Sequence, residues 1–120
     1  MQTHDIEDIL TSVEASPAFR VARDNYNTAL RKLRASAPAG FDAALLNLDT
    51  LAGALVTEAL IATPRKRKAR RDYTAAVKEI GLKLPAARQW DLLELDDLAG
   101  TMVSTARQAA ALEVSHDYDL

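Results

Sequence analysis

Apolar side chains recur along this chain at intervals of three and four residues, and the recurrences break at serine, proline and glycine. Ile6, Ile9, Leu10 and Val13 form a first short stripe, which predicts a helix in an N-terminal arm over residues 1–15. Thr3 would cap it, and Asp5, Glu7 and Asp8 sit at the favourable end of its dipole. Ser16 before Pro17 reads as an N-cap with proline at the first helical position. It opens a second helix to about Ser36 that carries Phe19, Ala22, Tyr26, Ala29, Leu30 and Leu33 inward. Residues 37–40, APAG, stop it. A third helix is expected from about Asp42 to Thr63, where Phe41, Leu45, Leu48, Ala52, Leu55, Ala59 and Ala62 repeat every 3.5 residues. Leu46, Leu51, Val56, Leu60 and Ile61 widen that stripe, and such breadth predicts a central helix or half of an oligomer interface.

Thr63 and Pro64 repeat the cap-plus-proline device and open a fourth helix with Ala69, Tyr73, Ala76, Val77 and Ile80 inward. Gly81 is expected to end it, with Leu82 making the hydrophobic contact that accompanies a glycine C-cap. Asp91 and Glu94 resemble a capping box at the head of a fifth helix to about Val114, along which Leu92, Leu95, Ala99, Met102, Ala106 and Ala109 keep register. Trp90, just before it, would staple against Leu95. Residues 115–120 lack period and are expected to fray. At this level no internal repeat and no low-complexity tract stands out. The predicted fold is all-α, a single helical domain over residues 1–120. It is a compact bundle of about five helices around an antiparallel hairpin of the second and third.

Composition changes this picture little. Aromatics are 5% of the 120 residues, so the core is aliphatic. The absence of cysteine removes disulfides, thiolate nucleophiles and zinc–thiolate sites, and fits a reducing, cytoplasmic setting. The opening MQTHDIEDIL is acidic and carries no apolar leader core, so neither secretion nor a membrane span is expected. Heavy alanine use and an excess of arginine over lysine suggest a GC-rich bacterial or phage coding sequence.

Charge changes it more. The chain carries a formal net charge of −2, yet Arg65, Lys66, Arg67, Lys68, Arg70 and Arg71 crowd the first two turns of the fourth helix. There they oppose the positive end of the dipole and repel one another, at about 0.3–1 kcal/mol per exposed cation at low salt. Lys68 to Asp72 is the one good i, i+4 pair within the run. The remaining charge must meet acidic segments of the same protein, such as Asp91 to Asp97 or the first helix, or an anion outside it. The acidic pole, with Asp91, Glu94, Asp96 and Asp97 at its centre, is a second contact surface, and a folded acidic surface can occupy the basic channel of a nucleic-acid enzyme.

No enzyme is expected. His4 and His116 sit near opposite termini, far from any activated nucleophile, and the Walker, G-x-G-x-x-G, H-E-x-x-H, EF-hand and E-x-x-H patterns are missing, so no cofactor or metal site is predicted. Size, tidy helices and charge bipolarity resemble, in style and through no motif, the accessory regulators and inhibitors of phages and mobile elements, anti-CRISPR proteins included. The sequence therefore predicts a small interaction protein whose partner is a protein that handles nucleic acid. Sequence-tolerant DNA or RNA binding through residues 65–71 is the alternative, and a homodimer through the third helix a further expectation.

Overall fold

The computed structural model describes residues 6–60 and 65–118, with side chains over 8–60 and 68–112. The expected caps at Thr3 and at Thr63–Pro64, His4, the side chains of Arg65, Lys66, Arg67 and His116, and the last two residues lie outside those described. Five helices follow in order: α1 (Ile6–Ala15), α2 (Pro17–Ser36), α3 (Asp42–Leu60), α4 (Arg65–Lys83) and α5 (Gln89–Tyr118). Short 3₁₀ turns at Ala39–Phe41 and Ala86–Arg88 lead into α3 and α5. The predicted all-α bundle is the observed one, and its principal extents are 54 × 28 × 18 Å.

The start of α2 is built as its sequence dictates. The Ser16 hydroxyl accepts from the Phe19 N–H at 3.3 Å and Pro17 takes the first turn, where its missing N–H costs nothing. Phe19, Ala22, Tyr26, Leu30 and Leu33 then turn inward. On α3, Leu45, Leu48, Ala52 and Leu55 are buried, and Leu51, Val56, Ala59 and Leu60 are partly buried around them. Residues 39–60 are also, by length and composition alone, apolar enough to cross a membrane. One side of α3 packs on α4 and on α5, while Leu46 on the other is 45% exposed.

Packing departs from the expected α2–α3 hairpin. The closest pairs are α2 with α5 and α3 with α4, while α2 touches α3, and α4 touches α5, far less. Each corner is therefore open, and each helix finds its main neighbour elsewhere in the chain. The reason is a duplication that the stripe pattern conceals. R-x-A-R-x-x-Y-x-x-A runs from Arg20 to Ala29 and again from Arg67 to Ala76, and L-L-x-L-D-x-L-A-G-x-x-V runs from Leu45 to Val56 and again from Leu92 to Val103. Both recur 47 residues later, as do Pro17 at Pro64 and Pro38 at Pro85. The expectation of no internal repeat is thus corrected: α2–α3 and α4–α5 are two copies of one unit. The first helix of each packs on the second helix of the other, in the pattern of a two-fold axis, with α3 and α5 meeting between them.

The corners repeat to the atom. Ala37 N–H donates to the Leu33 carbonyl at 2.8 Å, and Leu84 N–H to Ile80 at 2.9 Å. Phe41 N–H donates to Pro38 at 3.0 Å, and Arg88 N–H to Pro85 at 2.9 Å. Pro38 and Pro85 share φ −56°, with ψ of 151° and 147°. These prolines end α2 and α4 by forcing the residue before them out of helical geometry. Gly81, read from sequence as a C-cap, therefore lies inside α4 with ordinary φ, and the buried Leu84 takes the place foreseen for Leu82, which is 78% exposed. Two different contacts brace the corners. In the first half Arg34 Nε pairs with Asp42 Oδ1 at 2.9 Å; in the second Gln89 Nε2 donates to the carbonyls of Gly81 and Leu84 at 2.6 and 2.8 Å.

Equivalence within the core has a measurable consequence. Leu48 and Leu95 are both fully buried and occupy the same place in the repeat. Leu48→Ala and Leu95→Ala should each cost about 2–5 kcal/mol in urea unfolding and should agree closely, whereas Leu46→Ala and Leu93→Ala, at exposed positions, should stay within about 0.5 kcal/mol of wild type.

Candidate functional site

Charge in this protein is sorted by helix. All the lysines and arginines except Arg88 and Arg107 belong to α2 or α4, while α1, α3 and α5 carry most of the carboxylates. Basic helices pack on acidic ones, yet the ion pairs seen among the described residues run within a helix, as Lys68–Asp72 and Lys83–Glu79 do, or between chain neighbours, as Arg23–Glu14 and Arg34–Asp42 do.

Among the predicted basic residues, Lys68 Nζ pairs with Asp72 Oδ2 at 2.6 Å, as its spacing foretells. Arg70 and Arg71 are exposed, and neither pairs with a carboxylate among the described residues. The pairing of this run with Asp91 to Asp97 is not found among the described residues: Asp91 pairs with Arg88 at 3.5 Å, and Glu94, Asp96 and Asp97 are exposed without an ion pair. The structure also moves the head of α5. Because the turn at Ala86–Arg88 leads into a helix already begun at Gln89, Asp91 lies within the first turn and is no cap.

That shift rotates Trp90 away from the core. Leu92 and Leu95 face inward, and Trp90, foreseen as a staple against Leu95, is 77% exposed. Leu93, 57% exposed, is three residues on, so the two share one face with Glu94 and Asp97. The repeat shows what the fold demands at these places, since Ala43, Leu46, Asn47 and Thr50 occupy them on α3 and are exposed too. Half two adds an indole and two carboxylates where half one does without.

Sequence reasoning missed a second group altogether. Tyr26 and Tyr73, equivalent in the repeat, are 1% and 3% exposed, and both hydroxyls are buried without a hydrogen-bond partner. Burial raises both phenols above their ordinary value of 10.0, and the facing carboxylates, Asp49 for Tyr26 and Asp96 for Tyr73, raise them further. Each carboxylate is near enough to act by charge but is not placed to accept a hydrogen bond in good geometry. The Tyr26 phenol raises Tyr73 a little further, and Arg70 pulls Tyr73 the other way. The doubled R-x-A-R-x-x-Y and L-D-x-L-A-G strings are the signal that could have found this cluster.

No protein-family model, no curated protein and no solved structure matches the chain.

Two expectations follow. The folded chain keeps its two buried phenols protonated at pH values where an unfolded tyrosine ionises, so the unfolded state binds fewer protons there. Stability present below about pH 10 is lost as pH rises above it. Urea unfolding from about pH 9 to 11 should show that decline, and the Tyr26→Phe/Tyr73→Phe variant should flatten it while costing little at neutral pH, where it removes only unsatisfied hydroxyls. Trp90 is the one tryptophan, so fluorescence reads it alone. Its emission should be red-shifted and fully open to iodide quenching, and a blue-shifted, protected indole would return it to the staple position.

Proposed function

We propose that this protein is a non-enzymatic interaction protein that binds a protein partner through the outward face of α5, and that the partner is one that handles nucleic acid. The observation that carries this reading is the divergence between the two halves. Both copies meet the same packing requirements, so Trp90 in place of Ala43, Glu94 in place of Asn47 and Asp97 in place of Thr50 answer no need of the core. An exposed indole beside Leu93 has the make-up of a binding hot spot, and the carboxylates around it supply the long-range attraction that speeds association with a basic surface. A basic groove is what a nucleic-acid enzyme presents, which links the acidic face to that class of partner. The small size and bipolar charge fit a regulator or inhibitor, of the kind phages and mobile elements make, working in the cytoplasm.

A specific observation supports a second reading, direct and sequence-tolerant DNA or RNA binding through residues 65–71. Arg70 and Arg71 reach solvent with no carboxylate attached. With all six cations engaged, the log–log salt slope would be near about −5.

One set of measurements separates the two. A labelled duplex and a single strand are titrated by fluorescence anisotropy over about 50–300 mM salt. Wild type, Trp90→Ala and Arg70→Ala/Arg71→Ala are compared, and the same three proteins are used as bait for affinity capture. The partner reading expects no retention of nucleic acid near physiological salt and a captured protein that is lost with Trp90→Ala alone. Micromolar nucleic-acid binding that falls steeply with salt and disappears in the arginine variant would replace it with the second reading.

A further inference from the structure

The two halves also reveal what the surface retains when it is otherwise free to drift. Arg23, Tyr26, Asp49, Gly53 and Thr57 in the first half correspond to Arg70, Tyr73, Asp96, Gly100 and Ser104 in the second, unchanged but for threonine to serine. In the first half these five line one cleft of about 320 Å³, between α2 and α3, with α1 along its edge and Met102 of α5 at its floor.

Gly53 lies mid-helix with ordinary φ, and a Cβ built there would meet nothing within 4 Å. Glycine is a poor helix former, so neither the helix nor the packing calls for it, and the same holds at Gly100. What the missing side chain does at 53 is leave the cleft wall low. On that wall, one turn earlier, the half-buried Asp49 carboxylate has no ion pair among the described residues. Beside it lies the Tyr26 hydroxyl, buried and without a partner. Among the described residues lining the cleft the cation is Arg23, and it is already committed, bound to Glu14 of α1 and stacked 5.5 Å over the Phe19 ring. The remaining lining is the exposed Asn27 amide at the rim and an apolar wall from Leu10, Val13, Phe19, Val56 and Met102.

We infer that this cleft is a binding site for a small organic cation, an ammonium group on a compact apolar body. The ammonium would be received by Asp49 and the body seated over Gly53. The charge balance sets the class: Glu14 and Arg23 cancel, Asp49 is left over, and an apolar wall rewards a guest that brings carbon with its charge. The volume, near the lower end of small-molecule sites, limits the guest to about the size of an arylalkylamine. The site is independent of the Trp90 face, and neither reading needs the other.

Phenethylamine is the probe, with 2-phenylethanol as its neutral counterpart and phenylacetate as its anionic one. Each is titrated to about 10 mM, a range that captures weak small-molecule binding, into the full chain while backbone amide shifts are followed. Saturable shifts confined to residues around 23–27, 49–57 and 102 are expected with the amine, and binding about tenfold or more weaker with the alcohol and the acid. Asp49→Asn should weaken the amine by a similar factor. Gly53→Leu, which sets a bulky side chain on the cleft wall at a position where a Cβ meets nothing within 4 Å, should abolish binding while circular dichroism shows the helical fold intact. If the Leu variant unfolds, Gly53→Met tests the same wall. No saturable shift with the amine, equal binding of all three probes, or unaltered binding in a folded Gly53 variant would each overturn the assignment.

Discussion

The open corners of the two repeats are the constraint on which the rest depends. Pro38 and Pro85 turn the chain so that α2 and α4 each leave their own second helix, and the apolar faces so exposed meet chiefly the other copy, with α1 packed against α5 and α2. Leu33, Leu48 and Leu95 are fully buried members of one core cluster that both halves and Val13 of α1 share. Burying a leucine is worth about 1.5–3 kcal/mol, far more than any of the exposed ion pairs here, so apolar pairing between halves decides the architecture and the salt bridges follow it.

Function is written on what that pairing leaves outside. An inner face shared by both copies is held in place by packing, while the outer face of each is free to change. The copies have changed in opposite senses. The first turns of α4 carry cations where α2 has Ala18, Phe19 and Val21, and the head of α5 carries Trp90, Glu94 and Asp97 where α3 has Ala43, Asn47 and Thr50. The duplication thus gave one short chain a symmetrical frame and an asymmetrical surface.

Much of this frame was legible in the order of residues. The stripes named nearly all of the core, Ser16–Pro17 placed a helix start to the residue, and Lys68–Asp72 was paired by spacing alone. Helix ends were less legible where two signals competed. Gly81 looked like a cap, but Pro85 four residues later ends α4, and moving that end also moved Trp90 from a staple to the surface. Which helices touch was not legible, since the same stripes serve an α2–α3 hairpin and the observed exchange equally well. The Tyr26–Asp49 cleft escaped because its members are 23 residues apart and match no motif; only their recurrence marks them.

The two braces at the corners carry a consequence of their own. Arg34 and Asp42 hold the first by opposite charges in solvent, so salt that screens them loosens that corner. Gln89 holds the second with a neutral amide on two backbone carbonyls, which neither acid nor salt disturbs. Built from one repeated plan, the molecule therefore has one joint that feels its ionic surroundings and one that is deaf to them, and a change of medium would reach its halves unequally.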